Sequence, residues 1–375
     1  MRGISIALLG LIFFVQQNLH AQAQLVSDFP MDDCTLTDVI SGLDGTYIGS
    51  DPCTCGAVSN GLNFDGPDTE ASLDRGINDI LANDWTITFY VLPENTGDQV
   101  VDLLFLGNSC GRDSLFSVKY FSSSGRFRAR LSDSPNNEAE VDGVSDPNTC
   151  WQYVAIVKAG PTLTMYINGE FTEQNSAISD LNLNVESSLQ ISNSPCQFSS
   201  VNPDSPFRGS IDELRFYDGP LTQGEIQRQN LGPDQILTND TTIFLGGSIL
   251  LRHGGTCSDN FSWNPSNTLS DPSRLDPVAT PTETTEYTLD IDLPGCQVQD
   301  QVTITVIDPE EITCEDLDLP SAFTPNNDRI NDSYGISNPF LIEELGKFEI
   351  FNRWGGRVYI TFRACLLYTS PSPRD

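Results

Sequence analysis

Histidine is almost missing from this chain. There are two in 375 residues, and His20 lies in the N-terminal leader, which leaves His253. A histidine-built metal site needs several imidazoles. A Ser/His/Asp triad needs one held beside a nucleophile, and no local motif suggests that arrangement. His253-Gly254-Gly255 therefore reads as a surface histidine at a strand end or turn. Positive charge is scarce too: 19 Lys and Arg stand against 52 Asp and Glu, for a formal net charge of -33. A field of that sign repels nucleic acid and anionic membrane, which removes both as partners. It suits a soluble extracellular protein, or one that collects Ca²⁺. The apolar run Ile4–Val15 is too short to span a bilayer, which needs about 20 residues, and no other run is long enough, so no transmembrane segment is expected. Helical periodicity is also rare, and Leu221–Asn230 is its best candidate.

What is present begins with a leader. Arg2 supplies a positive start, Ile4–Val15 an apolar run, and Ala21-Gln22-Ala23 an A-x-A cleavage site, so residues 1–23 read as a signal peptide. No Cys follows the cleavage site to carry a lipid. Ten Cys in an exported chain point to disulfides rather than metal thiolates. Cys53-Thr54-Cys55 has no second paired motif at zinc spacing. Cys34 flanks one short loop with Cys53 and Cys55, so it is expected to pair with one or the other. From Gln24 to Asn230, short alternating segments such as Trp85–Val91, Leu115–Tyr120, Arg126–Leu131, Tyr153–Val157 and Leu163–Ile167 are separated by Gly, Asn, Asp, Ser and Pro. Period-two alternation with β-branched and aromatic residues predicts half-buried strands, and many such strands predict a sandwich or jelly roll. Asn168-Gly169 is a hairpin signal. The composition then shifts to Thr, Pro and Asp over residues 231–308, where Ile243–Leu251, Phe261–Trp263, Thr285–Ile291 and Gln301–Ile307 read as further strands.

Several motifs in order carry a resemblance: Gly61–Gly66, Trp85–Val91, Trp151–Ala155, Met165–Gly169 and Phe207–Tyr217, with Pro220-Leu221-Thr222 and Glu225-Ile226 behind them. Residues 24–230 thereby resemble a laminin-G-like, concanavalin A-like jelly roll of the bacterial type, with Ile211, Leu214 and Phe216 facing the core. Trp263-Asn264-Pro265 through Tyr287 resembles the Ig/PKD-like repeats of large surface proteins of gliding bacteria, which assigns residues 231–308 to an Ig-like sandwich. In such a module a buried Trp263 beside a Cys257–Cys296 disulfide is expected, leaving Cys314 as the odd thiol. Phe323-Thr324-Pro325-Asn326, Asp328, Asn331-Asp332 and Ile350–Gly355 resemble the C-terminal sorting domain of gliding-motility-associated proteins, exported by the type IX system. Asn327 and Arg329 replace two glycines of that pattern. Residues 309–364 are read as a truncated form of that domain, a partial β-sandwich. Residues 365–375, CLLYTSPSPRD, resemble a translated sequencing-library adapter. The architecture is thus all-β: jelly roll, Ig-like sandwich and partial C-terminal sandwich.

The jelly-roll resemblance implies a structural Ca²⁺ near the I-D-E-x-R strand, with Asp212 as its carboxylate ligand and Asp65 as a second candidate; loop carbonyls would complete the six to eight oxygens. Asn326–Asp332 lacks the Gly and distal Glu of a Ca²⁺ loop and reads as an Asx-rich turn. Glucanases of similar fold carry E-x-D-x-x-E on one strand; Glu138-Ala139-Glu140-Val141-Asp142 has the wrong spacing and reads as a polar loop. No catalytic or cofactor-binding residue is assigned. Arg126, Arg128 and Arg130 alternate along one strand and share one face, solvated or turned to an anionic glycan. The expected function is non-enzymatic: binding or adhesion at the cell surface, to carbohydrate or an extracellular matrix polymer, after export by the type IX machinery through the C-terminal domain. The alternatives are a structural or protein-binding surface module and a polysaccharide hydrolase.

Overall fold

The computed structural model describes residues 23–308 and 346–361, apart from a few single positions and short stretches within them. The leader ahead of Ala23, Cys314, the Asx-rich turn at 326–332 and the tail at 365–375 lie outside the described residues. The chain runs β1 (Leu25–Phe29), β2 (Thr46–Ile48), β3 (Cys53–Cys55), β4 (Asn60–Asp65), β5 (Glu70–Ser72), the short helix α1 (Ile77–Leu81), β6 (Trp85–Pro93), β7 (Val100–Gly107) and β8 (Leu115–Phe121). It continues through β9 (Arg126–Ser134), β10 (Asn137–Val144), β11 (Gln152–Ala159), β12 (Thr162–Ile167), β13 (Glu170–Ser176), β14 (Gln190–Ile191), β15 (Ser205–Pro206), β16 (Arg208–Tyr217) and α2 (Gln223–Gln229). These strands form two eight-stranded sheets. Sheet A has the order β13-β12-β11-β6-β16-β4-β3, with β1 also on β16. Sheet B has the order β10-β9-β8-β7-β14-β5-β2, with β15 beside β7.

The core between the sheets is built by alternation. In β6, Trp85, Ile87, Phe89 and Val91 point inward; in β9, Phe127, Ala129 and Leu131 do so. Trp85 meets Phe116 of the opposite sheet edge-on at 5.2 Å. Strand β16 carries the expected core residues Ile211, Leu214 and Phe216, all fully buried, but their spacing is three and then two. A β-bulge explains it: the register with β6 slips between Asp212 and Arg215, and Glu213 adopts φ +53°. One extra residue in a strand restores the inward phase of the residues beyond it. The β12–β13 hairpin turns at Asn168 and Gly169, with φ +53° and +82°, as a primed turn demands. Helix α2 starts where the Glu225 carboxylate accepts hydrogen bonds from the Thr222 backbone N–H (2.8 Å) and hydroxyl (2.7 Å).

Beyond α2 a second, smaller unit contains β17 (Thr241–Phe244), β18 (Ile249–Leu250), β19 (Phe261–Asn264), β20 (Val278–Ala279), β21 (Thr285–Leu293) and β22 (Cys296–Ile307). Four strands form the sheet β17-β22-β21-β19, and β18 pairs with β20. The strand expected over Ile243–Leu251 is broken in two, since Gly246 takes φ +85° and turns the chain between β17 and β18. Trp263 is buried, with Tyr287, Leu289, Ile291, Val302 and Ile304 around it. A further hairpin, β23 (Phe348–Phe351) and β24 (Arg357–Thr361), is described at the C-terminal side.

Among the described residues four disulfides form: Cys34–Cys53, Cys55–Cys257, Cys110–Cys196 and Cys150–Cys296. Cys53 and Cys55 flank Thr54 on the short strand β3, yet one bonds back to Cys34 and the other bonds out to the second unit. The expected Cys257–Cys296 bond is not made. Cys296 opens β22 and Cys257 precedes β19, and these strands flank β21 on opposite sides. Two strand spacings are roughly 9.5 Å, beyond the reach of about 7 Å for a disulfide. Each cysteine bonds the jelly roll instead. The disulfides that hold the second unit are therefore links between units, and no disulfide closes it internally among the described residues.

A non-reducing peptide map should recover Cys55 linked to Cys257 and Cys150 linked to Cys296; recovery of a Cys257–Cys296 peptide would refute this connectivity. The Cys150–Cys296 link closes a span of 146 residues, which chain-entropy reasoning values at ~5 kcal/mol of stability. A Cys150→Ala/Cys296→Ala variant should accordingly melt well below the parent by calorimetry.

Candidate ligand-binding site

A binding face needs exposure, and the two outer sheet faces differ in this. In sheet A, β6 and β11 are buried on both sides, against the half-buried state expected from their alternation. Thr86, Thr88, Tyr90, Tyr153, Ala155 and Tyr217 are all buried. Many of these belong to one buried cluster that runs through Leu221 and Ile226 into Trp263, Tyr287 and Leu289 of the second unit. Tyr90 closes the junction: its hydroxyl donates to Asn230 Oδ1 (3.0 Å) and accepts from the Leu231 N–H (2.6 Å). Burial pushes the Tyr90 and Tyr153 hydroxyls far above the usual tyrosine range. Trp85 and Trp151 are likewise buried, and neither is a platform for a ligand.

Sheet B keeps its outer face open to solvent along β9 and β10, whereas β7 is buried along nearly its whole length. There β9 alternates strictly, with Arg126, Arg128 and Arg130 outward. Strand β10 lies beside it in a register that sets Asp142 opposite Arg128 and Glu140 opposite Arg130. The segment Glu138–Asp142 is thus a strand rather than a polar loop, because Ala139 and Val141 turn into the core. Arg128 holds Asp142 with two hydrogen bonds, Nε to Oδ1 at 2.7 Å and Nη2 to Oδ2 at 2.9 Å. It also reaches Glu140 Oε1 at 3.0 Å. Arg130 Nε donates to Glu140 Oε2 at 2.7 Å, and Arg126 Nη1 to Asp142 Oδ2 at 3.3 Å. The hydrogen bonds from Arg128 hold the Asp142 carboxyl below the usual carboxylate range. The Arg126 guanidinium lies 4.1 Å from the Phe121 ring centroid, a cation–π contact.

Next to this ladder a cavity of about 470 Å³ opens, lined by Ser117, Lys119, Phe121, Arg128 and Arg130 of sheet B and by Pro203, Asp204 and Ser205. The Cys110–Cys196 disulfide and the short parallel pairing of β15 with β7 tie down the segment that carries the second wall. Lys119 Nζ sits between Asp204, with which it makes a short ion pair, and Asp102 Oδ1 at 3.5 Å. Asp102 is fully buried and accepts from the Ser194 hydroxyl; desolvation pushes its carboxyl up to about 6. It stands behind Lys119 and does not line the cavity. Lys119 and Phe121 follow the same outward phase as Ser117 in β8, so alternation could have flagged them. Asp204 had no such signal, since only the disulfide and the parallel pairing bring it there.

The two residues named for a metal do not meet. Asp65 is exposed on β4, opposite Arg208, and accepts from the Thr69 hydroxyl. Asp212 lies four residues further along β16, roughly 13 Å away at strand rise. It is fully buried at the bulge, where Oδ1 accepts from the Glu213 N–H (2.9 Å) and Oδ2 from the Val58 N–H (3.0 Å). A Cβ on Gly56 would stand 2.7 Å from Oδ2, so the 56–60 loop closes directly over the carboxyl. Desolvation, with the charges of Glu213 and Asp32, pushes Asp212 up to about 8. Glu213 and Asp28 both pair with Arg215. His253 is half-buried in a bridge to Ile236, its Nδ1 accepting from the Gly255 N–H (2.8 Å), and burial lowers its pKa.

Two facing eight-stranded sheets of this order form a jelly-roll sandwich. The sequence comparison agrees: residues 65–227 match the concanavalin A-like lectin/glucanases superfamily, and residues 317–364 match the CHU_C type IX secretion signal domain. The chain carries both domains, and the second marks it for export to the cell surface or beyond. Among solved structures it is similar to domain 4 of AbnA, an extracellular GH43 arabinanase of Geobacillus stearothermophilus, solved with arabinotriose (21% identity, TM-score 0.42, 56% of this chain and 99% of that one). It is also similar to the binding domain of botulinum neurotoxin serotype D/C (11%, 0.46, 73% and 72%) and to the CBM40 of the Ruminococcus gnavus IT-sialidase (15%, 0.37, 45% and 96%). No curated protein matches the chain. Among the described residues no helix is long and apolar enough to cross a membrane.

The environment of Asp212 sets a pH dependence. Its folded pKa of about 8 lies above the ordinary carboxylate value of 3.8. The neutral acid is therefore favoured in the fold, and stability falls as pH rises from about 4 to about 8, where the folded group begins to ionise. In chelated, metal-free buffer the melting temperature should therefore fall between pH 5 and 8. Asp212→Asn should flatten that slope, whatever its absolute melting temperature. Parallel curves for the two proteins would refute the assignment.

Proposed function

We propose that this exported protein binds a carbohydrate or matrix polymer at the cell surface, without turning it over, in the cavity on the outer face of sheet B. One observation carries the reading: the jelly roll has a sealed face and an open face, and the open one holds a cavity that combines an aromatic ring with a dense ladder of hydrogen-bonding side chains. Sugar sites are built in this way, from a few placed polar groups beside an aromatic surface. A hydrolase reading is disfavoured by the same geometry. Glu140 and Asp142 are neutralised by arginines, and Asp102, whose raised pKa would suit a general acid, is shut off behind Lys119. The sorting domain is assigned to export rather than to ligand binding.

A glycan array probed with the full chain tests this. The isolated jelly roll is a poor substitute, because cutting near residue 230 would leave Cys55 and Cys150 without partners. Phe121→Ala should weaken binding to any array hit by about tenfold, the loss of one ring contact worth ~1.4 kcal/mol, with an unchanged circular dichroism spectrum. Full retention by that variant would move the site elsewhere.

A structural Ca²⁺ at Asp212 is part of the proposal. Asp32, whose charge already bears on Asp212, and the carbonyls of the 56–60 loop are the groups that would join it, and Asp65 is not among them. Bound Ca²⁺ would supply the positive charge that lets the buried carboxylate stay ionised. Added Ca²⁺ should raise the melting temperature of the parent at pH 8 and leave Asp212→Asn unmoved. No shift in the parent would end the proposal.

A further inference from the structure

Resting on the cavity reading above, we infer that the cavity on sheet B takes a neutral, hydroxyl-rich glycan and rejects acidic ones. In the sequence, Arg126, Arg128 and Arg130 on one face read either as a solvated face or as a dock for an anionic glycan. In the fold their charge is already matched. Four cations gather here, Lys119 and the three arginines. Four carboxylates are within ion-pair reach of them: Asp102 and Asp204 at Lys119, Glu140 and Asp142 at the arginines. A fifth, Glu173, accepts from the Asp142 N–H at 2.6 Å and adds its field at Arg128. Paired charges of this kind leave no net field for an anion to enter. A sulfate or uronate would have to displace Glu140 or Asp142 from its arginine, or stand beside it as a like charge.

A neutral polyol meets a different surface. Each arginine has five N–H groups, and the two contacts of Arg130 to Glu140 use only part of that set. Asp204 lines the cavity, and Glu140 and Asp142 stand beside it in the ladder, so carboxylate oxygens with further lone pairs border the same surface. A sugar hydroxyl can accept from the first and donate to the second, so one ladder satisfies both of its roles. Arg126 and Arg128 lie 4.1 Å and 5.4 Å from the Phe121 ring centroid, and these contacts hold the half-buried ring as an apolar surface at a polar, charge-balanced cavity.

The test uses the full chain in affinity electrophoresis against a neutral β-glucan, a neutral mannan, polygalacturonate and a sulfated galactan. The parent should be retarded by a neutral polymer, with affinity constant within about twofold from roughly 50 mM to roughly 500 mM salt, because no net charge is exchanged. It should ignore both polyanions even at the low salt. The chain's overall charge could also repel polyanions, so a local variant separates the causes. Glu140→Gln/Asp142→Asn frees two guanidinium charges while changing the net charge only from -33 to -31 (-33 + 2). It should gain polyanion binding at the low salt that vanishes at the high salt. Retardation of the parent by a polyanion, with steep salt dependence, overturns the inference while keeping the cavity as the site. A variant that melts like the parent and still ignores polyanions also overturns it, because the overall charge then sets the preference. Failure of the parent and the variant with every polymer refutes the cavity reading itself.

Discussion

The contact between the outer face of sheet A and the second unit is the constraint on which the rest depends. Tyr90, Tyr153 and Tyr217 would be an exposed aromatic surface on an isolated jelly roll. Instead they are buried, in a cluster continuous with the core around Trp263. Two disulfides, Cys55–Cys257 and Cys150–Cys296, tie the contact from β3 and from just ahead of β11. The second unit has a small core, and small cores rarely stand alone without covalent help. Here that help comes from the neighbouring domain rather than from within.

Sealing the centre of one sheet face bears directly on the proposed site. Burial of β6 and β11 on both sides removes water from the centre of the sheet A surface and access for a ligand there, and the proposed binding cavity lies on sheet B. The alternation in β8 and β9 then matters twice: its inward half completes the core, and its outward half builds the polar ladder. The same arginines that look like an anion trap along one strand become a balanced surface once β10 sets its acids opposite. Cross-strand pairs of opposite charge are also a source of sheet stability, so the ladder serves the fold and the cavity at once.

The bulge in β16 has a comparable double role. It keeps Leu214 and Phe216 in the core after an inserted Glu213, and it directs Asp212 under the 56–60 loop, where its carboxyl is shielded from water. A buried acid held by two backbone N–H groups is unfavourable as a bare anion in such a place. Arg215 neutralises Glu213 and Asp28 nearby, but no ion pair of that kind reaches Asp212 among the described residues. That asymmetry is why a cation is proposed there and not at exposed Asp65.

Much of this was legible in the residues themselves. Alternation marked β6, β8, β9, β11 and β12; Asn168-Gly169 marked a hairpin; Leu221–Asn230 marked a helix; Ile211, Leu214 and Phe216 marked the core strand. These features are local, set by the period of a strand or by the φ a turn requires, and a sequence carries local constraints directly. What it did not carry was partnership across long separations. The choice of Cys55 for Cys257, of Cys150 for Cys296, of Glu140 and Asp142 for Arg130 and Arg128, and of which sheet face stays in water depends on strand order and register. Those are settled only when the whole chain has packed, because a side chain's partner is whatever the folded backbone places within a few ångströms of it.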